Sequence, residues 1–197
     1  LVRKFSFTGS TPVGKKLMAQ CSSTVKKVSL ELGGNAPFIV FDDADLDAAA
    51  DGAIVSKYRN MGQTCVCANR ILVQDKVHDA FVEKLKTRVS KLRLGNGAEE
   101  GVAQGPLIND RAIEKVSRLV ADATAKGAKV LQGGRLASLG RTFYEPSVIV
   151  GVTPDMAMAK EEIFGPVAAI YRFSNEVDAV RMANDTEFGL AAYFYAR

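Results

Sequence analysis

Two hydrophobic periods alternate along the chain. Residues 45–58 place Leu46, Ala49, Ala50, Ala53 and Ile54 at helical spacing, and residues 77–92 put Val77, Phe81, Leu85, Val89 and Leu92 on one stripe. Residues 14–21, 111–126 and 177–184 also read as helices, and Gly127 is placed to end the second of these. Between them lie short segments that read as strands, over residues 3–8, 27–32, 37–41, 69–74, 147–152, 167–173 and 190–195, with another beginning at Val130-Leu131. Residues 94–106 and the basic stretch after Gly133-Gly134 read as loops. This alternation predicts an α/β layered domain with a largely parallel sheet, and no internal repeat or low-complexity linker interrupts it.

Composition agrees with a folded domain. Of 197 residues, 47% are hydrophobic, enough to bury a core, and charges of both signs are interspersed to a net +4. There is no block of like charge, which argues against a nucleic-acid partner, and no apolar run approaches the ~18 residues that a membrane span needs. The start has no secretory signal pattern, and three cysteines, Cys21, Cys65 and Cys67, make no disulfide framework, so a reducing, cytoplasmic location is expected. The chain opens without Met, directly into a strand pattern, and stops inside the apolar run 191–195, which reads as a piece of something longer.

Four short motifs could carry chemistry. Gly9-Ser10-Thr11-Pro12-Val13-Gly14-Lys15 has most of a phosphate-binding P-loop. However, Lys16 stands where the Mg2+-holding Ser or Thr belongs, and Pro12 removes an N–H. A simple anion site at a helix start, or a plain turn, are the other readings. Gly62-Gln63-Thr64-Cys65-Val66-Cys67 offers either an exposed nucleophilic cysteine or a buried spectator. Metal binding is not expected, since the one histidine, His78, lies on a helix and reads as exposed. Glu31-Leu32-Gly33-Gly34 sets an acid at a strand end. Lys160-Glu161-Glu162-Ile163-Phe164-Gly165-Pro166 sets adjacent acids beside an aromatic and a turn, able to grip a ribose hydroxyl or simply to be a loop.

Taken together and in this order, the motifs resemble those of the NAD(P)-dependent aldehyde dehydrogenases, over essentially the whole chain. The resemblance implies a three-layer catalytic domain over residues 32–197, preceded by the tail of a Rossmann-like cofactor domain over residues 1–31. It implies that Cys65 attacks the aldehyde, that Glu31 activates the water that releases the acid, and that Gly9, Ser10, Leu32, Glu162 and Phe164 contact NAD or NADP. Enzymes that pass the acyl group to coenzyme A generally lack the base matching Glu31, so hydrolysis is expected.

Residues 58–70, 104–109 and 189–195 resemble the succinate-semialdehyde dehydrogenase subfamily, which acts in γ-aminobutyrate catabolism. That likeness makes Arg59 the group that holds the substrate's distal carboxylate, as a guanidinium fork suits. It also makes Cys67 either a redox partner of Cys65 or a spectator. The partner expected is thus a small aldehyde carrying a carboxylate, with a glutarate semialdehyde as the alternative, in a homodimer or homotetramer. The family's oxyanion-stabilising asparagine and adenosine-binding residues match nothing in these 197 residues, so the chain by itself is expected not to turn over.

Overall fold

The computed structural model describes residues 2–140 and 142–197. It begins with β1 (Lys4–Thr8), α1 (Thr11–Ser22) and β2 (Lys27–Glu31), whose strands pair in parallel with Thr8 opposite Glu31. A six-stranded sheet follows, made of β3 (Ala36–Val40), β4 (Ala68–Gln74), β5 (Lys129–Gln132), β6 (Ser147–Val150), β7 (Val167–Phe173) and β8 (Tyr193–Tyr195). Its spatial order is β5-β6-β7-β4-β3-β8, parallel throughout except for the antiparallel β5–β6 edge.

Residue period explains the layers. Along β7, Val167, Ala169, Tyr171 and Phe173 join one buried cluster, and Ala168 and Ile170 join the other. The first cluster is closed by Val116, Leu119 and Val120 of α4 (Asp110–Ala125) and Ala179 of α6 (Glu176–Asn184). The second is closed by Ala49, Ala50 and Ala53 of α2 (Leu46–Tyr58) and Phe81, Leu85 and Val89 of α3 (His78–Val89). Each fully buried Leu or Phe in these seams contributes roughly 1.5–3 kcal/mol. Helix starts are set by side-chain caps: Asp45 accepts from the N–H groups of Asp47 and Ala48, Asn109 from Ala112, and Asn175 from Asp178. The α/β class with a largely parallel sheet stands as expected.

Four expectations are corrected. α1 begins at Thr11 rather than at Gly14, because Pro12 sits in the first turn, where its missing N–H costs nothing. The Gly14 N–H donates to the Ser10 carbonyl at 3.0 Å, so residues 11–14 are already helical and form no open loop that could wrap a triphosphate. The P-loop reading falls on that geometry. His78 is buried rather than exposed, since it opens α3 against the sheet, with Nδ1 2.8 Å from Asp79 Oδ1. The last strand is also shorter, Tyr193–Tyr195, and the short helix α5 (Ala157–Lys160) has no apolar period long enough to read.

Candidate active site

Three loops lead into three adjacent strands. Residues 32–35 run into β3, residues 59–67 into β4, and residues 161–166 into β7. These strands are neighbours in the order β7-β4-β3 and parallel, so all three loops meet at the amino-terminal edge of the sheet. That edge is opposite to the carboxyl edge where open α/β sheets usually bind ligands.

The loop before β4 is built on left-handed backbone. Asn60, Met61 and Gly62 have φ of 51°, 60° and 72°. Asn tolerates this region, Met61 carries a cost of order 1 kcal/mol, and a side chain at 62 has no room. A Cβ on Gly62 would lie 2.2 Å from the Gly165 carbonyl oxygen, so the loop before β7 rests directly on this turn. Gly34 has the same part on the other side, where a Cβ would lie 2.3 Å from the Cys65 carbonyl oxygen. Gln63 fastens the outer side, accepting the Ile108 N–H at 2.9 Å and donating to the Asn60 and Pro106 carbonyls.

Stacking the loops brings the expected residues together. Gly9, Ser10, Glu31, Leu32, Cys65, Glu162 and Phe164 line one cavity of about 390 Å³. Thr8 and Gly33, beside the expected residues, complete it with Ala112 and Lys115; sequence reading missed the last two, and for Lys115, on the polar face of an amphipathic helix, no local signal exists. Glu162 Oε1 accepts the Gly34 N–H at 3.1 Å. Burial pushes the Glu162 carboxyl above its ordinary range, against the pull of that N–H and of the Lys115 and Lys57 charges. Phe164 is itself left-handed, at φ 52°.

Arg59 does not join this cavity. It lines a second one of about 440 Å³ with Phe38, Val55, Thr64, Val66, Tyr193 and others. Cys65 lies between Thr64 and Val66 of the second cavity and itself lines the first, so the nucleophile candidate stands on the wall between the two. Among the described residues no carboxylate pairs with Arg59. Tyr193 donates to the Val66 carbonyl at 2.7 Å. Burial raises its phenol pKa, with Cys67 and Cys65 adding to the rise and Arg59 opposing it.

Behind the wall, Cys67 is buried, its Sγ 2.7 Å from Thr64 Oγ1 and 3.8 Å from the Lys57 carbonyl. All three cysteines are free. Lys57 is wholly buried and its Nζ has no hydrogen-bond partner among the described residues. Burial pulls its pKa from 10.5 to about 8, against the Cys67 thiol and the Glu162 carboxyl.

Comparison with known proteins places this geometry. The profile of the aldehyde dehydrogenase family matches residues 1–197. The chain is 61% identical to the glutarate-semialdehyde dehydrogenase of Pseudomonas aeruginosa, over 100% of this chain and 41% of that protein. It is 59% identical to the NADP(+) succinate-semialdehyde dehydrogenase GabD of Escherichia coli, with the same coverage. The crystal structure of succinate-semialdehyde dehydrogenase from Burkholderia pseudomallei superposes with a TM-score of 0.99 at 63% identity, over 100% of this chain and 41% of that one. The chain therefore spans about two fifths of the length of the relatives it matches.

Proposed function

The chain belongs to the aldehyde dehydrogenase family, whose cofactor is NAD or NADP, and from that premise we propose that it carries the catalytic centre of an ω-carboxy aldehyde dehydrogenase, with succinate semialdehyde as substrate. The observation that carries this reading is the position of Cys65 on the wall between two cavities. On one side stand Glu31, Glu162 and Phe164, and on the other stands Arg59 with no carboxylate of its own.

The first cavity fits a dinucleotide. Ser10 caps the 12-residue α1 without using its side chain on the helix, and no acid lies in the first turn, so the hydroxyl and the positive helix end face an incoming phosphate unopposed. Glu162 and Phe164 would hold the nicotinamide ribose and ring, with Gly9 and Leu32 alongside. Residues 1–31 belong, in this reading, to the tail of the cofactor domain, supported by the separate parallel pair β1–β2. Residues 32–197 belong to the catalytic domain.

The chemistry follows from the residues. The Cys65 thiolate forms a C–S bond to the aldehyde carbon, and the carbonyl electron pair moves to oxygen. A nicotinamide cofactor held beside Glu162 and Phe164 would supply the hydride acceptor that this adduct needs to become a thioester on Cys65. Glu31 takes a proton from water as its oxygen attacks the thioester carbon, and the C–S bond breaks to return the thiolate and release a carboxylic acid. Arg59 holds the far carboxylate through two parallel hydrogen bonds and so aims the aldehyde at Cys65.

Cys67 is part of the same proposal as a redox partner. Peroxide would take two electrons and two protons from the Cys65 and Cys67 thiols to give a disulfide and water, at the cost of the Thr64 contact. Non-reducing peptide mapping after peroxide is expected to recover a Cys65–Cys67 linked peptide; its absence contradicts the switch. A cytoplasmic homodimer or homotetramer is the setting proposed, and among the described residues no helix is long and apolar enough to cross a membrane.

The deciding experiment is reduced-nicotinamide formation by an enzyme of the relatives' full length that carries this chain. Turnover on succinate semialdehyde well above that on an uncharged aldehyde of similar size is the expected result. Glutarate semialdehyde favoured over succinate semialdehyde would move the substrate to the second reading, which the Pseudomonas relative's name favours. No preference for either would remove Arg59 from the site.

A further inference from the structure

Two buried asparagines bind the loops before β3 and β7 to each other and to β4 from behind, and neither lines the first cavity. Asn69, in β4, uses its whole amide on them. Its Nδ2 donates to the Glu161 carbonyl at 3.2 Å and to Asn35 Oδ1 at 2.6 Å, and its Oδ1 accepts the Ile163 N–H at 2.9 Å. Asn35 stands directly after Gly33-Gly34. Its Nδ2 donates to the Ala159 carbonyl and to Thr186 Oγ1, both at 3.1 Å. Its own carbonyl is gripped by Arg70, from Nε at 3.1 Å and Nη2 at 3.0 Å.

These bonds select one of two adjacent acids. The backbone at Glu161 is extended, so neighbouring side chains leave the chain on opposite sides. Asn69 holds the peptide groups on both flanks of Glu162, through Glu161 O and Ile163 N. With those fixed, Glu161 turns out to Arg118, Oε2 2.6 Å from Nη2, and Glu162 turns in to the Gly34 N–H. A slip of one residue would exchange them.

We propose that Asn69 and Asn35 are positioning residues for the cofactor. They clamp the loop before β7 to the loop before β3, so that Glu162, and through it the nicotinamide ribose, is held in register with Cys65. This rests on the reading of Glu162 as a ribose contact. The clamp acts before ligand arrives, which is what a preorganised site requires of the groups behind it. A displacement of about 1 Å in such a site costs on the order of a hundredfold in rate.

The test uses the full-length enzyme and direct titration with reduced nicotinamide cofactor, read by its fluorescence, in the wild type, Glu162→Gln, Asn69→Ala and the double variant. Asn69→Ala is expected to weaken cofactor binding about tenfold, the size of losing one well-placed polar contact. The KM for cofactor should rise in step, while the KM for aldehyde and cofactor-free alkylation of Cys65 stay within about twofold. The double variant should bind no worse than Glu162→Gln alone, since Asn69 acts through Glu162; a purely structural part would make the two losses add. If Asn69→Ala does not fold, Asn69→Ser and Asn35→Ser are read in the same way. Weakened binding by Glu162→Gln with wild-type binding by the asparagine variants, or additive losses, overturns the clamp alone. Wild-type binding by Glu162→Gln overturns the ribose reading and the clamp with it.

Discussion

Lys57 places an ammonium group inside the core with no hydrogen-bond partner among the described residues, one turn before the loop that carries Cys65. Its pKa in the fold is about 8, against 10.5 for a solvated lysine, and burial is the main cause. Between those values the unfolded chain holds the proton and the folded chain does not, so stability rises with pH through that window. Below about pH 8 both states are protonated and the cost of burying the charge is present in full. Lys57→Met should therefore raise the unfolding free energy by roughly 3 kcal/mol near neutral pH and by progressively less toward the upper end of the window. Denaturant melts at the two ends measure this, and an equal gain at both would contradict a titrating lysine. Arg59 tests the other cavity. Arg59→Ala should lower kcat/KM for succinate semialdehyde by about a hundredfold and leave an uncharged aldehyde nearly unaffected, as loss of a charge-assisted pair does. Equal losses on both substrates would make Arg59 structural.

The site stands at the amino-terminal edge of the sheet because the loops that enter its central strands meet there. Three loops entering β7, β4 and β3 stack because glycine lets their backbones touch, Gly62 against Gly165 and Gly34 against Cys65. Gly62→Ala meets both a left-handed φ of 72° and a carbonyl oxygen 2.2 Å away, so it should lower the melting temperature and the turnover together. Unchanged turnover would show that the stacked loops do not set the geometry. The same elements show what the chain made legible. Glu31, Cys65, Glu162 and Phe164 sit in glycine-punctuated breaks between periodic segments, and such breaks are visible one at a time. The strand and helix order was visible for the same reason, through alternation and caps such as Asp45 and Asn109. Asn35, Lys57, Lys115 and Tyr193 were not visible as site residues. Such roles lie in contacts between distant parts of the chain: Asn35 to Ala159 spans 124 positions, Tyr193 to Val66 spans 127, and Asn69, which shares the clamp with Asn35, reaches Ile163 across 94. Nothing local marks an asparagine at a strand end as a clamp. His78 misled because polarity on a helix reads as exposure, whereas here the side chain is buried.

In the whole molecule the sheet divides two buried seams, one cavity opens at its amino-terminal edge, a second runs beside α2 and β8, and Cys65 stands between them. Cys65 lines the first cavity and its neighbours Thr64 and Val66 line the second, which in the proposed reading sets the dinucleotide on one side of the sulfur and the aldehyde on the other for hydride transfer. In the proposed reaction the acyl group passes through Cys65. Replacing Glu31, the proposed water-activating carboxylate, should trap it, so the measurement is peptide mass mapping of the full-length Glu31→Gln enzyme after acid quench of a reaction with succinate semialdehyde and NAD(P)+. A route through Cys65 requires a burst of reduced cofactor followed by turnover slowed about a hundredfold or more. It also requires a succinyl mass addition on Cys65, matching the burst in amount. A burst with no adduct on that residue, or an adduct on Cys67, would contradict it.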